Sequence, residues 1–95
     1  MSTLKTIKEN LIQSVIASVL AVISEKGLKP VEELKIDGSP VAYTGDVGMF
    51  ISALIELHDI FELNFEMDLN EVGTKFPTIE SLVEYFMIRI VDEKI

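Results

Sequence analysis

The chain has 95 residues, a formal net charge of −8 and no cysteine. This length suits one domain with a small core, and we expect residues 1–95 to form a single domain. The absence of cysteine excludes disulfides, thiolate metal sites and thiol catalysis.

The negative charge is concentrated in the middle of the chain. Residues 36–74 contain eight Asp or Glu and no Lys or Arg. Such a segment repels phosphate backbones, so we predict no nucleic-acid binding, and it favours basic protein partners. Solubility is the simpler explanation of the same charge. The N-terminus lacks a secretory signal, and no apolar run approaches the roughly 18 residues of a membrane span, so we expect a cytoplasmic protein without one.

The first predicted element is a long amphipathic helix. Apolar residues recur at three- and four-residue spacing from Leu4 through Ile7 to Ile23. Ser2 or Thr3 can cap its start, and a glycine at position 27 is typical of a helix end.

A long loop is predicted over residues 28–45, which contain two prolines and two glycines and show no persistent period. Loops of this length are uncommon in small domains and are usually functional. The side chains expected to attach it to the core are Val31, Leu34, Ile36 and Tyr43.

A second helix is predicted from Asp46 to about Phe61, because the Asp46 carboxylate can accept from the free amides of a first helical turn. The expected core face consists of Ile51, Leu54, Leu57 or His58, and Phe61. This helix is apolar on nearly every side, which leaves Met49, Phe50 or Ile55 partly outward. Either the long loop covers them or they form an apolar docking surface.

The rest of the chain predicts a short helical turn and a final helix. Residues 63–69 alternate as in a strand, but a lone strand cannot satisfy its backbone, so we predict a loop with a turn near 68–72. Thr78 caps the last helix, whose apolar face is Ile79, Leu82, Val83, Phe86, Met87 and Ile90. The predicted fold is all-α: a small bundle of three longer helices and one short one.

The segment GDVGMFISALIELHDIFELNFEMDLNEVGTKFPTIESLVEYF, residues 45–86, resembles the acyl carrier protein family. The likeness lies in the Gly-Asp helix start, a helix ending before a Phe, an extended acidic step and a final Thr-Ile-x-x-Leu helix. Residues 1–44 fit by length and apolar spacing only. The resemblance implies a four-helix bundle of the acyl-carrier type.

In that family, the serine after the Asp is esterified by 4′-phosphopantetheine, whose thiol carries an acyl group. Asp46 matches the family's Asp and Val47 its serine, while Gly48 replaces the apolar residue that usually follows. Valine has no oxygen for a phosphodiester, so the resemblance implies that the standard arm cannot be attached. Ser39, in IDGSPV, is the alternative attachment position, but Pro40 and Gly45 favour a turn there.

Three functional hypotheses follow. The first is a non-catalytic, carrier-like interaction or accessory module for fatty-acid, polyketide or peptide-type acyl transfer. It would be a monomer without cofactor whose protein partners present a basic or apolar docking surface. Its expected contact residues are Asp46, Val47, Met49, Phe50, Ile55, Glu56 and Asp59. The second is an atypical carrier with 4′-phosphopantetheine on Ser39, and the third is an unrelated helical module that dimerises through its second helix.

Other chemistry is not indicated by the sequence. His58 is the only histidine, and we expect it at the surface rather than in a catalytic site. Asp59, Glu62 and Glu66 lack the spacing of a calcium loop, so a solvated acidic face is preferred to a metal site.

Overall fold

The computed structural model describes the backbone of residues 3–94 and the side chains of residues 8–94. This part of the chain is all-helical, as predicted. Its helices are α1 (Thr3–Gly27), α2 (Pro40–Thr44), α3 (Val47–Ile60), α4 (Val72–Lys75) and α5 (Ile79–Lys94), with a 3₁₀ turn at Val31–Glu33. Ser2 and the side chains of Leu4 and Ile7 lie outside the described residues. Within the described residues, no helix combines the length and apolar character that crossing a membrane requires.

The segment predicted to be a long loop contains a short helix, α2. Ser39 is the N-cap of α2, because its hydroxyl oxygen accepts from the amide of Ala42 at 3.1 Å. Pro40 occupies the first helical position, where its fixed φ is favourable and its missing N–H costs nothing. Gly45, with φ of 102°, ends the helix after Thr44. The prolines and glycines therefore delimit a short helix, and the bundle has two short helices instead of one.

Both α1 and α3 end in Schellman motifs whose left-handed residue is not glycine. After α1, Lys29 N–H donates to the Ser24 carbonyl at 3.1 Å, and Leu28 has φ of 54°. After α3, Leu63 N–H donates to the His58 carbonyl at 2.8 Å, and Glu62 has φ of 56°. Gly27 serves another purpose: a Cβ there would overlap the carbonyl oxygen of Tyr43, so only glycine lets α1 and α2 approach this closely.

The first turn of α5 is capped by three separate groups. Thr78 Oγ1 accepts from Ser81 N–H at 3.1 Å, which confirms the predicted cap. The two preceding donors are satisfied by the loop before α2: Ile79 N–H donates to Gly38 O and Glu80 N–H to Ile36 O, each at 2.9 Å. The loop carbonyls thus accept hydrogen bonds from two helix N-terminal amides that would otherwise have no acceptor.

The core lies where α1 packs against α3 and α5. It contains apolar side chains from α1, α3, α4 and α5 and from the connections: Val15, Val19, Ile23, Phe50, Leu54, Leu57, Leu63, Val72, Phe76, Ile79, Leu82 and Phe86. The predicted face of α5 is confirmed, with Met87 only partly buried. Of the loop anchors, Leu34 is buried and Tyr43 packs against the core. The predictions for Val31 and Ile36 are wrong, because these residues are 41% and 43% exposed and do not pack against the core.

The predicted phase of α3 differs from the observed one. Its buried residues are Phe50, Ala53, Leu54, Leu57 and His58, while Ile51 and Phe61 are partly buried at the edge of the core. The short helix α4 begins at Val72, at the end of the predicted 68–72 turn. The Asp68 carboxylate accepts from Asn70 N–H at 2.9 Å. This hydrogen bond holds the residues before Val72 in a turn, so the helix begins only at Val72.

Candidate functional site

The candidate site begins at the N-terminus of α3. Asp46 is extended (φ −153°) and its carboxylate accepts from Met49 N–H at 2.8 Å, so it is the N-cap that the sequence predicted. Val47 is therefore the first helical residue, and 40% of it is exposed. A Cβ placed on Gly73 would lie 3.3 Å from Val47 Cγ2, so α4 borders one side of this residue. The opening of α3 thus presents a branched hydrocarbon beside a carboxylate.

The outward face of α3 continues this surface toward the C-terminus of the helix. Met49, Ile55 and Asp59 are exposed, and Glu56 is partly buried. The Glu56 carboxylate lies 3.5 Å from Lys26 Nζ of α1. We call Asp46, Val47, Met49, Ile55, Glu56 and Asp59 the α3 face. The long loop does not cover it, because Val47, Met49 and Ile55 remain accessible.

Phe50 does not belong to this surface. Its side chain is fully buried and stacks edge-on against Phe76, with 6.0 Å between ring centroids. The prediction that Phe50 could face outward is wrong, since the first turn of α3 directs it between the helices. A partner that binds the folded protein cannot contact its ring.

An open groove of about 460 Å³ lies at the C-terminal half of the α3 face. It is lined by Lys26, Ser52, Ile55, Glu56, His58, Asp59, Leu63 and Phe65. The groove combines two carboxylates with apolar walls, so it suits a side chain or ligand that has both a positive and an apolar part. Spacing along the sequence does not indicate that Lys26, Leu63 and Phe65 line this groove, because Lys26 comes from α1 and the other two from the connection after α3.

His58 is buried, which contradicts the expected surface position. Its Nδ1 lies 2.7 Å from the Leu54 carbonyl oxygen, which can only accept, so Nδ1 carries the proton. Its Nε2 therefore accepts from the Tyr85 hydroxyl at 2.7 Å. Burial is the main reason why the pKa of His58 is lowered from 6.5, and the nearby positive charge of Arg89 lowers it further.

Tyr85 and Arg89 extend these contacts across α5. Arg89 Nη1 donates to the Tyr85 hydroxyl oxygen at 2.8 Å, Nη2 donates to the Asn64 carbonyl at 3.2 Å, and Nε pairs with Glu93. Burial raises the pKa of Tyr85, which keeps its hydroxyl protonated and able to donate. Since both nitrogens of His58 are occupied, its ring stabilises the interior and is not available as a general base.

Among the side chains of residues 8–94, no group of three His, Asp or Glu is arranged to hold a metal ion.

Comparison with protein-family models gave no match, and comparisons with curated proteins and with solved structures gave none either.

Proposed function

We propose that this chain is an acyl-carrier-like, non-catalytic domain that binds other proteins and carries no phosphopantetheine arm. The observation that carries the proposal is the position of Val47: an exposed first residue of a helix, directly after an Asp cap. In the carrier family, the position matched by Val47 is the one that bears the serine. Because a valine cannot form the phosphodiester, the domain would contribute to acyl-transfer systems as an interaction or accessory module.

The composition of the α3 face favours a protein partner whose docking surface is basic and apolar. Its carboxylates at Asp46, Glu56 and Asp59 attract positive charge, and Lys26 neutralises only one of them. The exposed side chains of Met49 and Ile55 supply apolar area beside those charges.

The alternative of an arm on Ser39 is less favoured by the contacts of that residue. The Ser39 hydroxyl oxygen accepts from Ala42 N–H as the N-cap of α2, and Ser39 as a whole is partly buried. A transferase would have to reach it beside the ring of Tyr43, which lies against Gly38.

Intact-mass measurement tests the proposal. The wild-type chain is treated with coenzyme A and a broad-specificity phosphopantetheinyl transferase, together with Val47→Ser and Ser39→Ala variants. We expect no mass increase for the wild type and an increase of one arm for Val47→Ser, because only that variant has an alcohol at the mouth of α3.

Two results would contradict this expectation. A wild-type increase that disappears in Ser39→Ala would establish the Ser39 carrier instead. Failure of the folded Val47→Ser variant to accept an arm would remove the support for a carrier-like position at residue 47.

A further inference from the structure

A second surface, separate from the α3 face, lies between α1 and α5. Two adjoining cavities of about 350 and 270 Å³ form one continuous groove, since both are lined by Met87 and Ile88. The remaining lining residues are Lys8 and Ile12 of α1 with Val83, Glu84, Val91 and Asp92 of α5. We call this surface the α1–α5 groove.

The α1–α5 groove exposes large apolar side chains that the core does not use. Ile88 is 62% exposed and Val91 is 47% exposed, and they lie on successive turns of α5. Met87 and Ile12 are partly buried between them and α1. An apolar stripe of this kind with charged residues at its rim is typical of a protein contact surface.

The register of the two helices follows from the residues that share each cavity. Lys8 lies level with Val91 and Asp92, whereas Ile12 lies level with Val83 to Ile88, so α1 and α5 run antiparallel. Lys8 is thus on the α1 wall and Asp92 on the α5 wall at the same end of the groove. Among the side chains of residues 8–94, the ion pairs are Lys26–Glu56 and Arg89–Glu93, so neither Lys8 nor Asp92 is neutralised by a described neighbour.

This arrangement is complementary to itself. A two-fold rotation about an axis along the groove places α1 of one copy opposite α5 of the other, with positions along the groove unchanged. Each Lys8 then faces an Asp92 of the second copy, which gives two equivalent ion pairs. Ile12 of each copy faces the stretch that contains Ile88 of the other, and Glu84 stays at the rim in contact with water.

From this charge complementarity we infer that the α1–α5 groove is the interface of a symmetric homodimer. The inference goes beyond the proposed function and does not depend on it, because it concerns neither Val47 nor the α3 face. It differs from the monomer expected from the sequence. The predicted face of α5 leaves Ile88 and Val91 out of the core, but periodicity does not show that they line a groove with α1. It also differs from a dimer through the second helix, whose large apolar residues Phe50, Leu54 and Leu57 are buried.

Sedimentation velocity over a wide concentration range tests the interface. We expect reversible dimerisation of the wild-type chain and an increase of at least about a hundredfold in the dissociation constant for Ile88→Asp. The matched control is Ile55→Asp on α3, where the isoleucine is 53% exposed against 62% for Ile88, and this variant should dimerise like the wild type. Circular dichroism establishes that both variants are folded.

Charge reversal tests the two-fold pairing. Lys8→Glu and Asp92→Lys should each weaken self-association about tenfold, because each replaces both attractive pairs by repulsive ones. An equimolar mixture of the two variants should recover wild-type affinity by forming a mixed dimer. In that dimer the two substituted side chains attract each other across the interface, and the unsubstituted Lys8 and Asp92 form the second pair.

Three outcomes would overturn the inference. These are a wild-type chain that stays monomeric at every concentration, a dimer disrupted by Ile55→Asp rather than by Ile88→Asp, and a mixture of charge variants that does not recover affinity. The mass measurement on Val47 is unaffected by any of them, so failure of one proposal is distinguishable from failure of the other.

Discussion

His58 is the residue whose environment has the clearest consequence in solution. Its ring is almost completely buried, it touches Phe65 and Phe86, and it accepts a hydrogen bond from Tyr85 only while Nε2 is unprotonated. Protonation would place two donors, Arg89 and His58, on the same tyrosine oxygen and would bring two positive charges together. The folded state therefore favours the neutral imidazole.

The unfolding free energy should consequently depend on pH. The pKa of His58 is lower in the folded chain than the 6.5 of the unfolded one. The unfolded chain therefore binds more protons below pH 6.5, and stability falls as pH decreases through that range. The contribution of His58 is complete above 6.5 and is lost toward the folded-state pKa.

Urea unfolding between about pH 7.5 and 5.5 measures this change in the unfolding free energy. Most carboxylates stay ionised over this range, so they contribute little to it. The charged groups near His58 are Arg89 and Glu93 of α5, with Glu66 near Tyr85. The control variant His58→Gln is polar but does not titrate, so its unfolding free energy should change little over the same range. An equal slope in both proteins would show that other groups cause the dependence.

The Schellman motifs provide a prediction at the level of the helices. Leu28 is 91% exposed and Glu62 is exposed, yet both are in the left-handed region, where a Cβ is unfavourable. Leu28→Gly and Glu62→Gly should each stabilise the chain by about 0.5–1 kcal/mol, since relief of the steric cost exceeds the added entropy of the unfolded state. Thermal or urea unfolding measures the change.

The matched control is Ala17→Gly, at an exposed position in the middle of α1. It should destabilise by about 1 kcal/mol, because glycine is unfavourable within a helix. Destabilisation by all three glycines would show that the left-handed residues carry no strain.

The three long helices can be predicted from sequence, α1 and α5 from a repeating apolar pattern and α3 from an apolar run that follows the Asp46 cap. Asp46 and Thr78 define the starts of α3 and α5, and Asp46 also determines that Val47 is the first helical residue. The short helix α2 cannot be recognised by periodicity, because five residues are too few to show a period. Its capping pattern, Ser39 followed by Pro40 and ended by Gly45, is present in the sequence but is equally typical of a turn.

The interior of α3 is harder to predict than its ends. The helix is apolar on nearly every side, so the sequence does not determine which side faces the core, and the outward position predicted for Phe50 is wrong for this reason. His58 depends on Tyr85, which is 27 residues away in sequence. The i, i+4 spacing of Tyr85, Arg89 and Glu93 is the available signal for that network, but no rule of local sequence connects it to α3.

At the scale of the whole molecule, the α3 face and the α1–α5 groove are formed by different helices. The α3 face has carboxylates beside apolar side chains, whereas the α1–α5 groove has opposite charges on its two walls. A dimer through the α1–α5 groove would leave the α3 face of each copy accessible. Two docking surfaces of the same kind would then be presented by one assembly.

The two loop carbonyls that cap α5 connect distant parts of the chain. Ile36 and Gly38 accept from Glu80 and Ile79, so these two amides are protected from solvent only while the loop is in place. Leu34 is buried and lies two residues before Ile36 in sequence. Leu34→Ala should therefore accelerate hydrogen exchange at Ile79 and Glu80 by roughly tenfold or more, with a smaller effect at Phe86.

The control is Val31→Ala, at an exposed position of the same loop, which should leave all these exchange rates unchanged. A uniform acceleration along α5 after Leu34→Ala would mean that the helix opens as one unit. With the expected result, two backbone amides in the C-terminal quarter of the chain act as reporters for the first interhelical connection. Any binding event that loosens or tightens that connection could then be followed by NMR without placing a label at the binding surface.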